Sequence, residues 1–168
     1  DNPMSDKQTR KNDEGAFEPF ACSDVPWTEF SKGSKFGMRY KHLSSYAGAS
    51  QFGVSLEEIE PGKQGCPFHY HMREEEQLFI LSGELTLRLG SRRYALKAGD
   101  YVCFPAGQQV GHAIINESDK TCRYLIMGPN DPDEVCVYPD SGRVSVRRLG
   151  EGYDMKKTLD YWAGEIID

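Results

Sequence analysis

The chain contains 168 residues, with 20 lysines and arginines against 26 aspartates and glutamates, and its net charge is −6. A chain of this length buries one hydrophobic core without disulfides, so we expect a single domain with terminal extensions. The acidic balance, with basic clusters no larger than the Arg92-Arg93 and Arg147-Arg148 pairs, argues against nucleic acid as a partner.

The sequence also predicts the compartment of the protein and the redox state of its cysteines. No apolar run is long enough to span a bilayer, and the polar residues 1–15 lack the apolar region of a signal peptide, so we expect a cytoplasmic protein with no membrane partner. The five cysteines are odd in number and show no CxxC spacing, which favours a reducing compartment and predicts small apolar side chains rather than disulfides or a thiolate zinc site.

Residues 1–35 are predicted to form a polar N-terminal arm, mobile over about the first 16 residues. Residues 36–130 then show short stretches in which apolar and polar residues alternate, as in strands with one buried face. The clearest stretches are residues 36–41, 52–57 and 85–89, and Gly-containing turns such as Ser82-Gly83 and Gly90-Ser91 separate the strands. Many short strands joined by tight turns predict an all-β fold, either a closed barrel or a sandwich.

Three of the four histidines, His69, His71 and His112, are placed by strand-like segments where they can act together. A single residue, Tyr70, separates His69 from His71, so both imidazoles project from the same face of a strand and can converge on one ion. His112 opens a later strand. The residue types and their spacing predict a metal site.

Glu76 supplies the carboxylate of this set. In the predicted strand 76–81 it shares a face with Leu78 and Ile80, so it points into the barrel if those residues are buried. An ionised carboxylate in an apolar interior costs several kcal/mol unless something compensates its charge. A divalent cation would compensate it.

Residues 131–168 are predicted to form a C-terminal extension. A hairpin over residues 135–146, turning at Asp140-Ser141-Gly142, is expected to add to the sheet packing. Residues 155–164 are weakly helical, because Leu159 and Trp162 lie about one helical turn apart.

At the histidines and their flanking turns the chain resembles the cupin superfamily. His69, His71, Glu76 and Gly83 match the first family motif, G-x5-H-x-H-x3,4-E-x6-G, except for its leading glycine. Gly99, Pro105, Gly107, His112 and Asn116 match the second motif, G-x5-P-x-G-x2-H-x3-N, with two extra residues before the histidine. The resemblance covers residues 52–127. It implies a single double-stranded β-helix, the jelly-roll barrel, with His69, His71, Glu76 and His112 as ligands of one divalent metal.

The donor set leaves the metal open, because three imidazoles and one carboxylate suit Fe, Mn, Zn, Ni, Co or Cu. The leading interpretation is a small metal-dependent enzyme of dioxygenase, isomerase or lyase type, in which a small organic substrate binds at the metal and Glu76 acts as a possible proton acceptor. The alternative is a non-catalytic sensor or binding module with a structural metal. The resemblance also implies a homodimer.

Other polar and aromatic residues receive simpler interpretations. We expect His42 at the surface or cavity rim, Asn116 in a turn, and Glu74, Glu75, Arg143 and Arg147 as solvated charges. The aromatic side chains between the motifs are expected in the barrel core and hairpin packing rather than around a substrate. They are Phe68, Tyr70, Phe79, Tyr94, Tyr101 and Phe104.

Overall fold

The computed structural model describes residues 11–168, and within that range the chain forms thirteen strands and one short α-helix. The strands are β1 (Thr28–Lys32), β2 (Phe36–His42), β3 (Phe52–Ile59), β4 (Tyr70–His71), β5 (Glu76–Ser82), β6 (Glu84–Leu89), β7 (Arg92–Lys97), β8 (Tyr101–Phe104), β9 (His112–Ile115), β10 (Cys122–Pro129), β11 (Val135–Tyr138), β12 (Arg143–Val146) and β13 (Glu151–Asp154). The helix α1 (Leu43–Tyr46) connects β2 to β3, and short 3₁₀ turns cover Cys22–Asp24 and Arg147–Leu149. None of the helices in residues 11–168 has the length and apolarity of a transmembrane segment.

The strands form three antiparallel sheets. The largest has the order β1-β2-β3-β10-β5-β8, a second has β7-β6-β9, and a third has β13-β12-β11-β4. The core contains side chains from the first two sheets, with Ile59, Ile80 and Tyr124 fully buried in one cluster with Leu85 and with Ile114 packed against it. The predicted all-β jelly-roll fold is therefore confirmed.

The strand predictions from alternation agree with the structure at β2, β3, β5 and β6. The side chains of Leu78 and Ile80 are buried, at 1% and 0% exposed, so Glu76 lies on the inward face of β5 as predicted. The turn from β5 to β6 requires Gly83, whose φ is +80° and whose position would bring a Cβ within 2.7 Å of the Thr121 carbonyl oxygen.

The polar N-terminal segment contains a strand that the sequence pattern did not reveal. Strand β1 lies inside residues 1–35 and pairs with β2 from Thr28↔Tyr40 to Lys32↔Phe36. It is an edge strand with four of its five residues exposed, so it lacks the apolar alternation of a half-buried strand. Residues 1–10, part of the predicted mobile stretch, lie outside the described residues. The division into arm, barrel and extension stays a prediction.

The C-terminal hairpin is confirmed, and the C-terminal helix is wrong. Strands β11 and β12 pair from Val135↔Val146 to Tyr138↔Arg143, and β11 also pairs with β4, next to the histidines. Residues 155–164 form turns and irregular structure, with every side chain exposed. Two apolar residues one turn apart are too few to stabilise a helix that packs against nothing.

Of the six aromatic residues predicted in the core, two are buried, Tyr70 is half-buried and three are exposed, and one of the buried two, Phe104, also lines the cavity described below. Phe68 and Phe104 are buried, at 7% and 4% exposed, whereas Phe79, Tyr94 and Tyr101 are 37%, 43% and 55% exposed. The same period of two that turns Leu78 and Ile80 inward turns Phe79 outward, so aromatic character alone did not identify the buried face.

Candidate metal centre

Backbone pairing brings the predicted ligands together from three chain segments. His69 and His112 lie opposite each other in an isolated antiparallel bridge, with the His112 N–H donating to the His69 carbonyl oxygen at 2.8 Å and the His69 N–H donating in return at 3.1 Å. His71 lies in β4, and Glu76 begins β5.

The four side chains converge through specific atoms. Nε2 of His71 lies 3.1 Å from Nε2 of His69 and 3.1 Å from Oε2 of Glu76, and Nε2 of His112 lies 3.0 Å from Oε1 of Glu76. The ligand atoms of all four residues lie within 4.8 Å of one another. The structure therefore gathers the whole predicted set around one point.

In each histidine, the partner of Nδ1 affects whether Nε2 is free to bind an ion. Nδ1 of His69 lies 2.7 Å from the Pro67 carbonyl oxygen, which only accepts hydrogen bonds, so Nδ1 carries the proton and Nε2 of the neutral ring keeps its lone pair. Nδ1 of His71 faces Cys136 Sγ at 3.7 Å and Glu134 Oε2 at 3.9 Å. The His112 ring stacks on Phe104 at a centroid distance of 3.6 Å. Metal-ligating histidines are usually held in this way from the far side, so these residues fit a divalent metal.

The charges of the cluster are strongly coupled. Burial, followed by the proximity of His112, lowers the pKa of His69 to about 4. Burial opposes ionisation of Glu76, yet hydrogen bonds from His112 and His71 hold its pKa well below the usual range. The carboxylate is therefore ionised across the physiological range, as a metal ligand must be.

The loop between His71 and Glu76 is fastened by a carboxylate that the sequence did not single out. Glu134, 2% exposed, accepts hydrogen bonds from the backbone N–H groups of Met72, Arg73 and Glu74 at 2.9, 3.3 and 2.5 Å. It precedes β11, the strand that pairs with β4. The C-terminal hairpin thus fixes the segment that carries one imidazole and leads to the carboxylate of the cluster.

The prediction of a solvated charge is wrong for Glu74, whereas Arg147 is about half exposed, as predicted, but is also ion-paired. Glu74 is 8% exposed, and its two oxygens accept hydrogen bonds from Nη1 and Nη2 of Arg147 at 2.9 and 2.8 Å. These residues are 73 positions apart, so their contact depends on the docking of the hairpin and leaves no local pattern. Although Glu74 and Glu134 also lie within reach of His71, both carboxylates are occupied by these donors.

Four other polar predictions agree with the structure or are refined by it. Asn116 is fully buried and donates to the Ile59 and Lys120 carbonyl oxygens at 2.8 Å, as a turn residue. His42 is exposed, with Nδ1 2.8 Å from Ser55 Oγ. Glu75 accepts a hydrogen bond from Gln77 Nε2 at 2.6 Å. Arg143 places its guanidinium 3.9 Å from the centre of the Tyr138 ring.

The cluster opens into a cavity of about 490 Å³. Apolar side chains such as Met38, Leu78 and Ile126 form part of its wall. Its polar lining outside the metal cluster includes three more carboxylates and a group of neutral side chains: Glu57, Glu74, Glu75, His42, Ser44, Ser45, Ser55 and Asn130. A cavity of this volume accommodates a small organic molecule beside the four converging ligands.

Glu57 is the cavity residue that sequence reasoning missed. The buried hydroxyl of Tyr124 donates a hydrogen bond to Glu57 Oε2 at 2.7 Å. Burial raises the pKa of Glu57 to about 8, while the Tyr124 hydrogen bond opposes the shift and the nearby Glu76 carboxylate adds to it. The alternation along β3 predicted Phe52, Val54 and Leu56 as the hidden face and so indicated an outward position for Glu57, whereas the structure places Gly53, Ser55 and Glu57 at the cavity.

Comparison with known proteins identifies the family. Residues 55–128 match the model of the Cupin domain. A crystal structure from Acidithiobacillus ferrooxidans, assigned as a sugar phosphate isomerase, is 32% identical, with 74% of this chain and 80% of that chain covered and a TM-score of 0.70. A sugar phosphate isomerase of the cupin superfamily from Silicibacter pomeroyi is 25% identical, with 86% and 98% covered and a TM-score of 0.76. The chain belongs to the cupin superfamily.

More distant similarity supports the fold alone. The polyketide cyclase RemF from Streptomyces resistomycificus is 23% identical over 68% of this chain and 80% of its own, with a TM-score of 0.58. No match was found among proteins with curated descriptions. Cupins generally bind a divalent metal, and the cluster described above provides a candidate site for one.

Proposed function

We propose that this protein is a metal-dependent isomerase of small sugar-like substrates, with sugar phosphates as the substrate class. The observation that carries the proposal is the convergence of three Nε2 atoms and one carboxylate at the wall of a cavity of about 490 Å³. The two sugar phosphate isomerases of similar structure support the choice of isomerase over dioxygenase and lyase.

We propose that the metal ligands are the four residues named in the sequence analysis: His69, His71, Glu76 and His112. A bound divalent cation would polarise a carbonyl or hydroxyl oxygen of the substrate. The Pro67 carbonyl group holds His69 in the tautomer that leaves its Nε2 free, hydrogen bonds from His112 and His71 keep Glu76 ionised, and apolar side chains form part of the wall around the substrate. Both oxygens of Glu76 already contact imidazoles, so its proposed role as proton acceptor would require it to release one of them.

The phosphate of such a substrate would lie at the exposed end of the cavity. Among the described residues, no lysine or arginine lines the cavity, and the carboxylates near the metal would repel a dianion. His42, Ser44 and Ser45 are neutral polar residues of the cavity lining, Ser55 Oγ lies 2.8 Å from Nδ1 of His42, and His42 is exposed. We therefore expect the reacting carbons near the metal and the phosphate toward His42.

Metal analysis tests the basis of the proposal. We expect about one transition-metal ion per chain by elemental mass spectrometry, with an apparent loss of at least tenfold in affinity for His69→Ala and His112→Ala because each change removes a ligand. His42→Ala is the matched control, since it removes an imidazole outside the cluster. Metal retained in both ligand variants would refute the assignment of ligands.

Catalysis is tested separately with the metal-loaded protein. Aldose phosphates and their unphosphorylated counterparts are incubated with it, and nuclear magnetic resonance detects the ketose product. Formation of ketose phosphate supports the proposal. Tight binding without turnover would instead favour the alternative function, a binding module, and oxygen consumption would favour a dioxygenase.

We also propose that two copies of the chain associate. The C-terminal residues leave large apolar side chains in solvent, with Leu159, Tyr161, Trp162 and Ile166 at 81%, 86%, 62% and 94% exposed. Such a concentration of exposed apolar side chains is typical of an interface. Analytical ultracentrifugation should give a dimer, and a monomer at micromolar concentration would contradict this.

A further inference from the structure

We propose that Glu57, oriented by Tyr124, is the catalytic residue that moves a proton between neighbouring carbon atoms of the substrate. The inference rests on the proposed isomerase function and adds a residue outside the cupin motifs. It is carried by three features: the position of Glu57 in the cavity wall, its hydrogen bond with Tyr124, and the absence of a basic partner among the described residues.

The position of Glu57 follows from strand geometry. Alternate residues of β3 face the same side, and Gly53, Ser55 and Glu57 all line the cavity that contains the metal cluster. Glu58, the next residue, faces away and lies outside the cavity lining. Glu57 therefore reaches the same enclosed space as the proposed metal ligands without contacting any of them through a hydrogen bond.

The side chain of Glu57 forms one hydrogen bond within residues 11–168, which holds one carboxyl oxygen and leaves the other without a partner there. Tyr124 lies opposite Glu57 in the pairing of β10 with β3, is 0% exposed and belongs to the buried core, so its hydroxyl is a rigid anchor for Oε2. Within residues 11–168, no hydrogen bond is formed to the other carboxyl oxygen, which is left to face the cavity. A carboxyl group in this state can both accept and return a proton.

The charge environment suits a proton carrier more than a structural carboxylate. Glu58 is held ionised by Arg39 and Arg123, whereas Glu57 forms no ion pair with any residue of 11–168 and lies near the negative charge of Glu76. Its pKa of about 8 lies close to physiological pH, where a group exchanges protons most effectively.

The proposed step is balanced without an external oxidant or reductant. In an aldose phosphate, Glu57 takes the proton from C2, the C2–H electron pair forms a C1=C2 double bond, and O1 takes up a proton. O2 then releases its proton as C2=O forms, and this release balances the proton taken up at O1. Glu57 returns its proton to C1, which gives the ketose phosphate and regenerates the carboxylate.

Exchange of substrate hydrogen with deuterated water tests this role. Ribose 5-phosphate, arabinose 5-phosphate, glucose 6-phosphate and mannose 6-phosphate are incubated with the metal-loaded protein in D₂O, and loss of the C2 proton signal is followed. We expect Glu57→Gln to lower the exchange rate about 100-fold or more. Tyr124→Phe should lower it several-fold, because the carboxyl remains but loses its anchor. Glu58→Gln is the matched control on the same strand and should exchange at the wild-type rate.

Two further measurements separate a chemical role from a structural one. Metal content should be the same in wild type and Glu57→Gln, because Glu57 is not a ligand. In the metal-free protein at neutral pH, infrared difference spectra should show a protonated carboxylic acid band that disappears in Glu57→Gln and persists in Glu58→Gln.

The outcomes are distinguishable. If the wild type exchanges and Glu57→Gln does so equally fast with equal metal content, the role of Glu57 is refuted while the isomerase proposal stands. If the wild type neither exchanges nor isomerises any of the four sugar phosphates, the proposed function fails, and the role of Glu57 in it fails as well. Loss of metal from Glu57→Gln would also overturn the role, because it would make Glu57 part of the metal site.

Discussion

Two groups of glutamates in this molecule differ in their partners. Glu58 and Glu74 form ion pairs with arginines, whereas the side-chain partners of Glu57 and Glu76 within residues 11–168 are a tyrosine and imidazoles. Burial opposes ionisation of Glu58, but the hydrogen bonds from Arg123 and Arg39 lower its pKa, and burial without such partners raises that of Glu57 to about 8. Glu57 and Glu58, neighbours on β3, therefore have pKa values shifted in opposite directions because they lie on opposite faces of the strand.

The largest effect on stability is expected from removing an arginine partner. Arg147→Ala leaves Glu74 as a buried carboxylate with its guanidinium partner gone and removes one of the links between the hairpin and the loop that precedes Glu76. Because half of the Arg147 side chain is exposed, we expect a loss of about 2 kcal/mol in the free energy of unfolding, below the cost of a fully buried pair. Urea unfolding measures it.

The matched control for this change is Arg148→Ala. Arg148 pairs with Asp133 at 2.7 Å, but both side chains are more than half exposed, so the expected loss is much smaller than for Arg147→Ala. Equal losses for the two variants would show that the burial of Glu74 does not matter.

The second prediction concerns Glu57, which has no basic partner among the described residues, and here the substitution is expected to raise the free energy of unfolding. The folded-state pKa of Glu57, about 8, exceeds the ordinary value of 4.5. Between these values the carboxyl group ionises in the unfolded chain but stays protonated in the folded one, so the free energy of unfolding of the metal-free protein falls as the pH rises from 4.5 to about 8. Glu57→Gln removes this cost while keeping an acceptor for Tyr124. We expect the variant to gain about 1 to 2 kcal/mol of stability over wild type near pH 8 and little near pH 4.5.

Urea unfolding of the metal-free proteins across this pH range provides the measurement. The other titratable groups that face Glu57 are Glu76, Tyr124 and Cys66, all unchanged in the variant. A stability difference that does not vary with pH would contradict the raised pKa of Glu57.

The smallest effect is expected at Glu58. Its lowered pKa means that its ionised form stabilises the fold above the ordinary value of 4.5 and that this contribution is lost as the pH falls through the folded-state pKa. Arg123→Ala removes one of two arginines, both well exposed, so we expect a loss of about 1 kcal/mol at neutral pH and a smaller one in acid. Unfolding curves near pH 7 and in acid, with Arg93→Ala as an exposed control, test this; a larger loss in acid would contradict it.

Local patterns in the sequence predicted much of the fold and the metal cluster. The period of two identified β2, β3, β5 and β6 and placed His69, His71 and Glu76 on inward faces, because side-chain direction in a strand depends on neighbouring positions only. The same reasoning failed for residues 155–164, where the spacing suggested a helix that has nothing to pack against. It also failed for β1, an exposed edge strand held by its pairing with β2.

The sequence by itself determined which residues can bind a metal, since donor chemistry and spacing are local properties. Only the tertiary structure decided that Tyr124 meets Glu57, that Arg147 meets Glu74 and that Glu134 fastens the loop beside His71. These contacts join residues that are 60 to 73 positions apart in the sequence. The contact between Tyr124 and Glu57 also depends on the register of two paired strands. Such contacts arise from strand order and hairpin docking, which are set by burial of the whole core and leave no periodic trace along the chain.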